Sequence, residues 1–229
     1  MGVLSLGCGA IDKLLGGGLE AGIITNIYGA PGSGKTNFAL QAAVSCIRQG
    51  KKVIFIDTES GLSPERFLQM AGSEELLDKM MILKPRDFQG QSDIIKGLEA
   101  LIAKEKAGLV VVDSIVGLYR IAAHGDTKYA ANQELTCQFI ALSQMAEKCK
   151  IPVLVTNQVY AVFDSDEVEL VGKDLPKYYS KVLIFIEKKG TGRRRATIIK
   201  HRHRPEDSFA EFDIKDEGLV DAEKKFGIF

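Results

Sequence analysis

The eight residues at positions 29–36 constrain this chain more than any other part of its sequence. They are Gly29, Ala30, Pro31, Gly32, Ser33, Gly34, Lys35 and Thr36, which complete the spacing GxxxxGK[ST] between an apolar run and a helical segment. Such glycines let successive backbone N–H groups converge on a phosphate, and the N-terminus of the following helix adds its positive dipole end. The sequence therefore predicts a nucleoside triphosphate site, against the alternative of a glycine-rich turn that binds nothing.

The last two residues of this loop predict a metal site as well. Lys35 would reach the β and γ phosphates, and the hydroxyl of Thr36 would hold Mg²⁺. A second oxygen ligand is expected from Asp113, which ends a buried apolar run at the edge where parallel sheets place ligands. Asp113 could instead cap the turn that follows it.

Two other strand ends offer groups for hydrolysis. Glu59 follows the apolar run 52–57, and it would activate a water molecule if that strand neighbours the one before residue 29. Gln158 follows the run 152–156, where its amide could hydrogen-bond a terminal phosphate. From spacing alone, Glu59 could equally be an ordinary strand-end carboxylate and Gln158 a polar loop residue.

The order of apolar segments predicts an α/β fold. Short runs rich in β-branched residues alternate with segments of helical period, at residues 23–28, 52–57, 80–83, 109–113 and 152–156. This alternation is typical of a mainly parallel central sheet flanked by helices. Three further runs, at 182–186, 196–200 and 209–214, follow without intervening helices and predict a C-terminal β-meander that extends the sheet.

Helix boundaries and one loop follow from local signals. Ser63 before Pro64 predicts an N-cap, and Ser92 is expected to cap a helix over 93–106. A helix over 132–148 should bury one stripe of Leu135, Phe139, Leu142 and Ala146. The segment 164–178 lacks a sustained apolar period and is predicted to be a mobile loop.

The composition excludes several classes of protein. Lys and Arg total 30 against 30 Asp and Glu, so a uniformly basic nucleic-acid coat is excluded. Apolar runs end well before the roughly 18 residues of a membrane span, and no signal peptide is evident, which predicts a cytoplasmic, nucleoid-associated protein. The scattered cysteines and histidines show no zinc spacing, so we expect no metal other than Mg²⁺.

Five segments occur in the order seen in RecA-type recombinases. They are residues 29–36, 55–59 (FIDTE), 63–66 (SPER), 113–114 (DS) with 118–120 (LYR), and 156–159 (TNQV). In detail they resemble the archaeal and eukaryotic branch, and the lead-in at 4–19 is also similar. The resemblance covers nearly the whole chain. It implies one RecA-like P-loop ATPase domain over 1–229, with ATP and Mg²⁺ as cofactors and a role in DNA repair and homologous recombination.

The resemblance also implies roles for particular residues. Glu59 would polarise the attacking water, Arg66 would stack on the adenine, and Gln158 would sense the γ-phosphate. Two loops, 119–129 and 164–178, would face DNA, with Arg120, Lys128, Lys173 and Lys177 as the candidate DNA-binding cations. Tyr178 or Tyr179 could stack on bases, or either could face the core.

The sequence departs from longer recombinases at two places. Only 28 residues precede the loop at 29–36, so we expect neither the N-terminal helix-hairpin-helix domain nor the polymerisation linker. Residues 171–179 (VGKDLPKYY) replace the paired-glycine and histidine pattern of the second loop. We therefore expect a mediator with weak ATP hydrolysis rather than an autonomous strand-exchange protein. Its expected partners are single-stranded or branched DNA, the main recombinase and, in a homo-oligomer, further copies of itself.

Charge is segregated near the C-terminus. Residues 181–204 contain nine Lys or Arg and one acid, whereas residues 205–229 contain eight acids and three bases. This pattern predicts that Arg193, Arg194 and Arg195 bind a DNA backbone. The alternative is a solvated face that pairs with the acidic segment.

The sequence leaves other uses of the chain open as alternatives. Lys200 and Arg202 could reach the ATP of a neighbouring subunit, as cations from the corresponding hairpin do in the RecA group. One alternative function is a non-hydrolytic ATP-dependent adaptor for the main recombinase. Another is a signalling ATPase of the KaiC type, whose glycine-rich lead-in looks similar.

Overall fold

A nine-stranded sheet with helices on both faces forms the body of the molecule, and the computed structural model describes residues 2–161, 168–172 and 174–223. The strands are β1 (Val3–Leu4), β2 (Leu19–Glu20), β3 (Ile24–Tyr28), β4 (Lys52–Asp57), β5 (Met80–Leu83), β6 (Ala107–Asp113), β7 (Val153–Asn157), β8 (Val159–Ala161), β9 (Val168–Leu170), β10 (Val182–Lys188), β11 (Arg193–Lys200), β12 (Phe209–Lys215) and β13 (Gly218–Asp221). The α-helices are α1 (Gly9–Leu15), α2 (Lys35–Arg48), α3 (Pro64–Ala71), α4 (Phe88–Glu105), α5 (Gly117–Ala122), α6 (Lys128–Cys149) and α7 (Asp174–Tyr179). None of the helices in these ranges is long and apolar enough to cross a membrane.

The strand order confirms the predicted architecture. The large sheet runs β13-β12-β11-β10-β3-β7-β6-β4-β5. Its strands are parallel from β10 to β5, and β11, β12 and β13 continue it as antiparallel neighbours. Strands β10, β11 and β12 form the predicted C-terminal meander, and β13, which was not predicted, extends it by one strand. Because β3, β4, β6 and β7 lie parallel in one continuous stretch of the sheet, their carboxyl ends meet at one edge.

Two apolar layers hold the helices to the sheet. Helices α1, α2 and α3 pack on one face with the side chains of Phe38, Phe55 and Phe67 fully buried. Helices α4 and α6 cover the other face, where the predicted stripe of α6, including Leu135 and Phe139, is buried. Burying aromatic and branched side chains on both faces stabilises the sheet, at roughly 1.5–3 kcal/mol for each large side chain.

One predicted helix start is confirmed and one is wrong. Ser63 caps α3 by accepting a hydrogen bond from the backbone N–H of Arg66 at 3.1 Å, with Pro64 at the first helical position. Helix α4 does not begin after Ser92. It begins at Phe88, because Asp87 accepts from the Gly90 N–H at 2.7 Å and so provides an earlier cap. Ser92 lies buried inside the helix and donates to Glu134.

The predicted mobile loop at 164–178 contains regular structure in its described part. Strand β9 pairs with β8 as a small hairpin, and α7 follows it. Leu170 is buried against Tyr28 and Leu183, and Leu175 packs on the layer under α6, so apolar contacts order this segment. Residues 162–167 and 173 lie outside the described residues, and the part of the loop prediction that falls on them, with Lys173, lies there too.

Candidate nucleotide-binding site

The loop 29–36, called the P-loop below, connects β3 to α2 at the carboxyl edge of the sheet. Its tight path depends on glycine at two positions. A Cβ atom added at Gly29 would lie 2.2 Å from the Ile186 carbonyl oxygen, and Gly34 caps α2 with a φ of 107°. The buried Ser33 hydroxyl has no hydrogen-bond partner among the described residues. This backbone can therefore present its N–H groups and the helix N-terminus to an anion.

Lys35 lies at the centre of the site. Its Nζ donates to the carbonyl oxygens of Gly29 at 2.8 Å and Ala30 at 3.1 Å. Burial lowers the pKa of Lys35, and the negative charges of Asp113 and Glu59 oppose that shift. A half-buried ammonium group near two acids and a glycine-rich loop is suited to polyphosphate.

Asp113 ends β6 and is almost fully buried. Burial raises the pKa of its carboxyl group, while hydrogen bonds from the hydroxyls of Thr156 and Thr36 lower it. Thr156, near the end of the adjacent strand β7, donates to Asp113 Oδ1. The hydroxyl of Thr36 and the carboxylate of Asp113 are hard oxygen ligands of the kind that Mg²⁺ prefers, so the residues present fit the expected metal ion.

Glu59 is fixed by two hydrogen bonds to the same oxygen. Ser114 Oγ donates to Oε1 at 2.7 Å, and Gln158 Nε2 donates to it at 2.5 Å. Arg120, on α5, in turn donates to Gln158 Oε1. The chain of contacts thus runs from α5 through the end of β7 to the carboxylate after β4.

These groups line one cavity of about 510 Å³, called the nucleotide pocket below. Its lining includes Lys35, Thr36, Glu59, Asp113 and Gln158, so the structure brings together the predicted catalytic and metal-binding residues. Ser114, Arg194 and Ile214 also line it, and the sequence did not predict that they would. The hydroxyl of Ser114 directly after Asp113 was the one local signal available, whereas no short-range pattern pointed to the other two.

The guanidinium of Arg66, the predicted adenine contact, forms hydrogen bonds with other residues of the chain. Its Nε donates to Asn37 Oδ1 at 2.7 Å, and Nη2 donates to the Lys215 carbonyl oxygen at 2.7 Å. A third bond reaches the Asp216 carbonyl oxygen at 3.0 Å. Arg66 therefore connects α2 and α3 to the turn between β12 and β13, and adenine stacking stays a prediction.

Two arginines predicted to bind DNA are paired with acids of the meander. Arg193 forms a two-pronged bond to Asp213 at 2.8 and 2.9 Å, and Arg195 contacts Glu211 at 2.7 Å. The hydrogen bond from Arg193 lowers the pKa of Asp213. These pairs favour the alternative in which the basic stretch pairs with the acidic segment, because both acids belong to residues 205–229.

Arg194 and Arg120 take positions that differ from the predicted ones. Arg194 Nε donates to the Ser33 carbonyl oxygen of the P-loop at 2.9 Å. Arg120 lines the nucleotide pocket as well as the side of the molecule expected to face DNA. Arg194 points away from Arg193 and Arg195 because successive side chains of a strand alternate between the two faces of the sheet. Arg120 is exposed, and its guanidinium lies at the edge of the nucleotide pocket because the Gln158 amide oxygen accepts its hydrogen bond.

Lys200 and Arg202 lie at the opposite end of the sheet from the P-loop. Lys200 pairs with Leu183 near the start of β10, and its Nζ donates to the carbonyl oxygens of Lys177 at 2.6 Å and Ser180 at 2.9 Å. Burial lowers the pKa of Lys200. Arg202 lines a cavity with Gly22 at the same end. Any contact with ATP would have to be made in a neighbouring subunit, and it stays a prediction.

A groove of about 940 Å³ separates the start of α6 from the β8–β9 hairpin and α7, and we call it the tyrosine groove. Tyr129 and Tyr178 in its lining are each 72% exposed, so both can meet a ligand. Tyr179 instead stacks on Phe139 at 6.0 Å, the core-facing alternative. Lys128 lines the groove, and Lys177 is exposed beside Tyr178.

Comparisons with known proteins agree with this geometry. The sequence model of the Rad51 family matches residues 2–222. The DNA repair and recombination protein RadB of Methanococcoides burtonii is 42% identical over 215 residues, which cover 93% of this chain and 95% of the relative. RadB of Methanoculleus marisnigri is 42% identical over 220 residues, covering 94% of this chain and 96% of the relative.

A solved structure gives the same assignment. The crystal structure of the RadB recombinase superposes with a TM-score of 0.82 at 36% identity, covering 96% of this chain and 100% of that one. Sequence and fold therefore agree over almost the whole length of the chain. It belongs to the Rad51 family and, within that family, to the RadB group of DNA repair and recombination proteins.

Proposed function

We propose that this chain binds ATP with Mg²⁺, hydrolyses ATP weakly, and assists homologous recombination as a DNA-binding mediator of the main recombinase. The observation that carries the proposal is the convergence of Lys35, Thr36, Asp113 and Glu59 on one nucleotide pocket. Its volume of about 510 Å³ is in the range of small-molecule sites. The signalling-ATPase alternative is not retained, because the relatives are DNA repair and recombination proteins.

Each residue has a chemical role in this proposal. The P-loop amides and Lys35 bind the phosphates, and Thr36 and Asp113 would hold Mg²⁺. Bound Mg²⁺ supplies neutralisation of phosphate charge. Glu59 would orient a water molecule and accept its proton through Oε2, since both described hydrogen bonds to the carboxylate go to Oε1.

Weak ATP turnover follows from the hydrogen bonds that hold Glu59 and Lys200. Two donors occupy Glu59 Oε1, so only Oε2 is left to meet a water molecule. Lys200, which the resemblance assigns to a neighbour's ATP, gives hydrogen bonds to two carbonyl oxygens of its own chain. Both features favour nucleotide binding over rapid hydrolysis.

Two variants test the proposal. Lys35→Ala should lose most ATP affinity in calorimetric titration, whereas Glu59→Gln should keep that affinity and lose ATP turnover. Lys79→Ala, at an exposed lysine outside the pocket, is the matched control. Undiminished ATP binding by Lys35→Ala would contradict the proposed function.

The same pair of variants separates the remaining alternative. A non-hydrolytic adaptor uses bound ATP only to set the shape of its docking surface, so it needs Lys35 but not Glu59. Its ATP-dependent binding to DNA and to the main recombinase would survive in Glu59→Gln. If that variant fails to support recombination while still binding ATP, DNA and the recombinase, hydrolysis is required.

A further inference from the structure

Three side chains of the meander, Lys188, Arg194 and Ile214, lie against the P-loop from outside. A Cβ atom added at Gly34 would lie 2.6 Å from Ile214 Cδ1 and 3.7 Å from Arg194 Nε. One added at Gly32 would lie 3.0 Å from Lys188 Nζ. The loop is therefore bordered by cations from β10 and β11 in addition to its own Lys35.

Arg194 differs from both of its neighbours on β11. Arg193 and Arg195 form ion pairs with Asp213 and Glu211 on β12. The described contacts of Arg194 are instead with backbone carbonyl oxygens, of Ser33 at 2.9 Å, Arg193 at 2.9 Å and Gly190 at 3.5 Å. Within the described part of the chain no carboxylate neutralises its charge.

This unneutralised guanidinium lines the nucleotide pocket together with Lys35 and Thr36. Two cations that share a pocket repel each other, and an anion between them reverses that effect. The hydrogen bond from Nε to the Ser33 carbonyl oxygen fixes the guanidinium plane beside the P-loop. The Nη2 group makes no contact among the described hydrogen bonds, so it can donate to a ligand.

We propose that Arg194 is a phosphate-binding residue for the nucleotide held by its own chain. The inference rests on the proposed function, because it assumes that the pocket binds ATP. It goes beyond the resemblance, which places the additional cations on a neighbouring subunit. A guanidinium already fixed beside the loop gives charge-assisted hydrogen bonds to phosphate oxygens. One chain then completes the phosphate site, and ATP affinity does not depend on protein concentration.

Calorimetric titration with ATP in the presence of Mg²⁺ tests this role in the full chain. Arg194→Ala should weaken ATP binding by about 10- to 100-fold, the usual effect of losing a hydrogen bond from a charged group. Arg194→Lys should recover part of the loss because it keeps the charge. Arg195→Ala, one residue away with its charge neutralised by Glu211, is the matched control and should bind ATP like the original chain.

Arg194→Gln separates phosphate binding from support of the loop. It keeps a donor for the Ser33 carbonyl oxygen but carries no charge, so we expect an affinity as low as that of Arg194→Ala. Recovery of full affinity in Arg194→Gln would show loop support alone and overturn the proposal. ATP affinity that depends on protein concentration would also overturn it.

The remaining outcomes distinguish this inference from the proposed function. If the original chain binds ATP and all Arg194 variants bind it equally well, only the inference fails. If the original chain does not bind ATP, both fail. Thermal unfolding without nucleotide checks each fold, and if Arg194→Ala is unfolded, the comparison of Arg194→Lys with Arg194→Gln decides the question.

Discussion

In the proposed function Asp113 would bind Mg²⁺ only with its carboxyl group ionised, so the groups around Asp113 would control metal binding in the nucleotide pocket. Burial raises the pKa of this group and favours the neutral form. The hydroxyl of Thr156 lowers that pKa by donating to Oδ1. A single hydroxyl on the neighbouring strand therefore favours the charged form that the metal ion requires.

Replacing Thr156 by Val tests this control through two opposite pH trends. Loss of the hydroxyl raises the pKa of Asp113 further, so the deficit in MgATP affinity should be larger at pH 6 than at pH 8. The stability of the fold should show the opposite trend. A carboxyl group whose pKa is raised in the folded state lowers the free energy of unfolding as pH rises towards that pKa, because the unfolded chain ionises first. The unfolding free energy should fall by about 1–3 kcal/mol at pH 8 and by less at pH 5.

Titration of MgATP binding and urea unfolding across this pH range measures both trends. Thr156→Ser retains the hydroxyl and serves as the control, with an affinity close to that of the original chain. Equal affinity deficits at pH 6 and pH 8 in Thr156→Val would contradict this role of the hydroxyl.

At the scale of elements, the alternation of apolar runs and turn signals located β3 to β7 and β10 to β12 of the large sheet, but not β13. Local signals failed where a competing cap or a distant contact decided the outcome. Asp87 starts α4 before Ser92 can, and Leu170 orders part of a segment that has no apolar period of its own. The charge pattern identified the basic stretch, but only the strand register shows that Arg193 and Arg195 face acids on β12.

These ion pairs change where DNA contacts are expected. Lys128, which lines the tyrosine groove, and Lys177, which is exposed beside Tyr178, should carry more of the binding than the paired arginines. Replacing either lysine by Glu should weaken binding of single-stranded DNA. It should also reduce the slope of log affinity against log salt concentration by about 0.7 for each phosphate that is no longer neutralised. Arg193→Ala and Arg195→Ala should leave that slope unchanged. Fluorescence anisotropy at several salt concentrations measures it, and a slope that changes only in the arginine variants would refute this assignment.

At the scale of the whole molecule, the nucleotide pocket and the tyrosine groove share one side chain, Arg120. Motifs and strand ends identified Lys35, Asp113, Glu59 and Gln158 from the sequence, because each lies beside a recognisable strand. They could not show that Arg120 turns towards Gln158, since that contact depends on how α5 packs after β6. The same limit applies to Arg194, whose place over the P-loop follows from the order of strands in the sheet.

This shared residue predicts that ATP and DNA affect each other's binding through Arg120. A phosphodiester in the groove would compete with Gln158 for the guanidinium, and Gln158 in turn holds Glu59. ATP should therefore change the affinity for single-stranded DNA, and DNA should change the affinity for ATP by the same factor, because coupling between two sites is reciprocal. Coupling energies of this kind are typically about 1–3 kcal/mol, or roughly 5- to 150-fold in affinity.

Arg120→Ala should reduce this factor towards one while ATP still binds to the P-loop. Lys128→Ala is the matched control: it removes a groove cation that does not line the nucleotide pocket, so it should weaken DNA binding and leave the factor unchanged. The affinities for ATP and for DNA would each be measured with and without the other ligand. The two measurements must give the same coupling factor, so each checks the other. An undiminished factor in Arg120→Ala would show that the two sites communicate by another route, and equal losses in both variants would reduce Arg120 to one more DNA-binding cation.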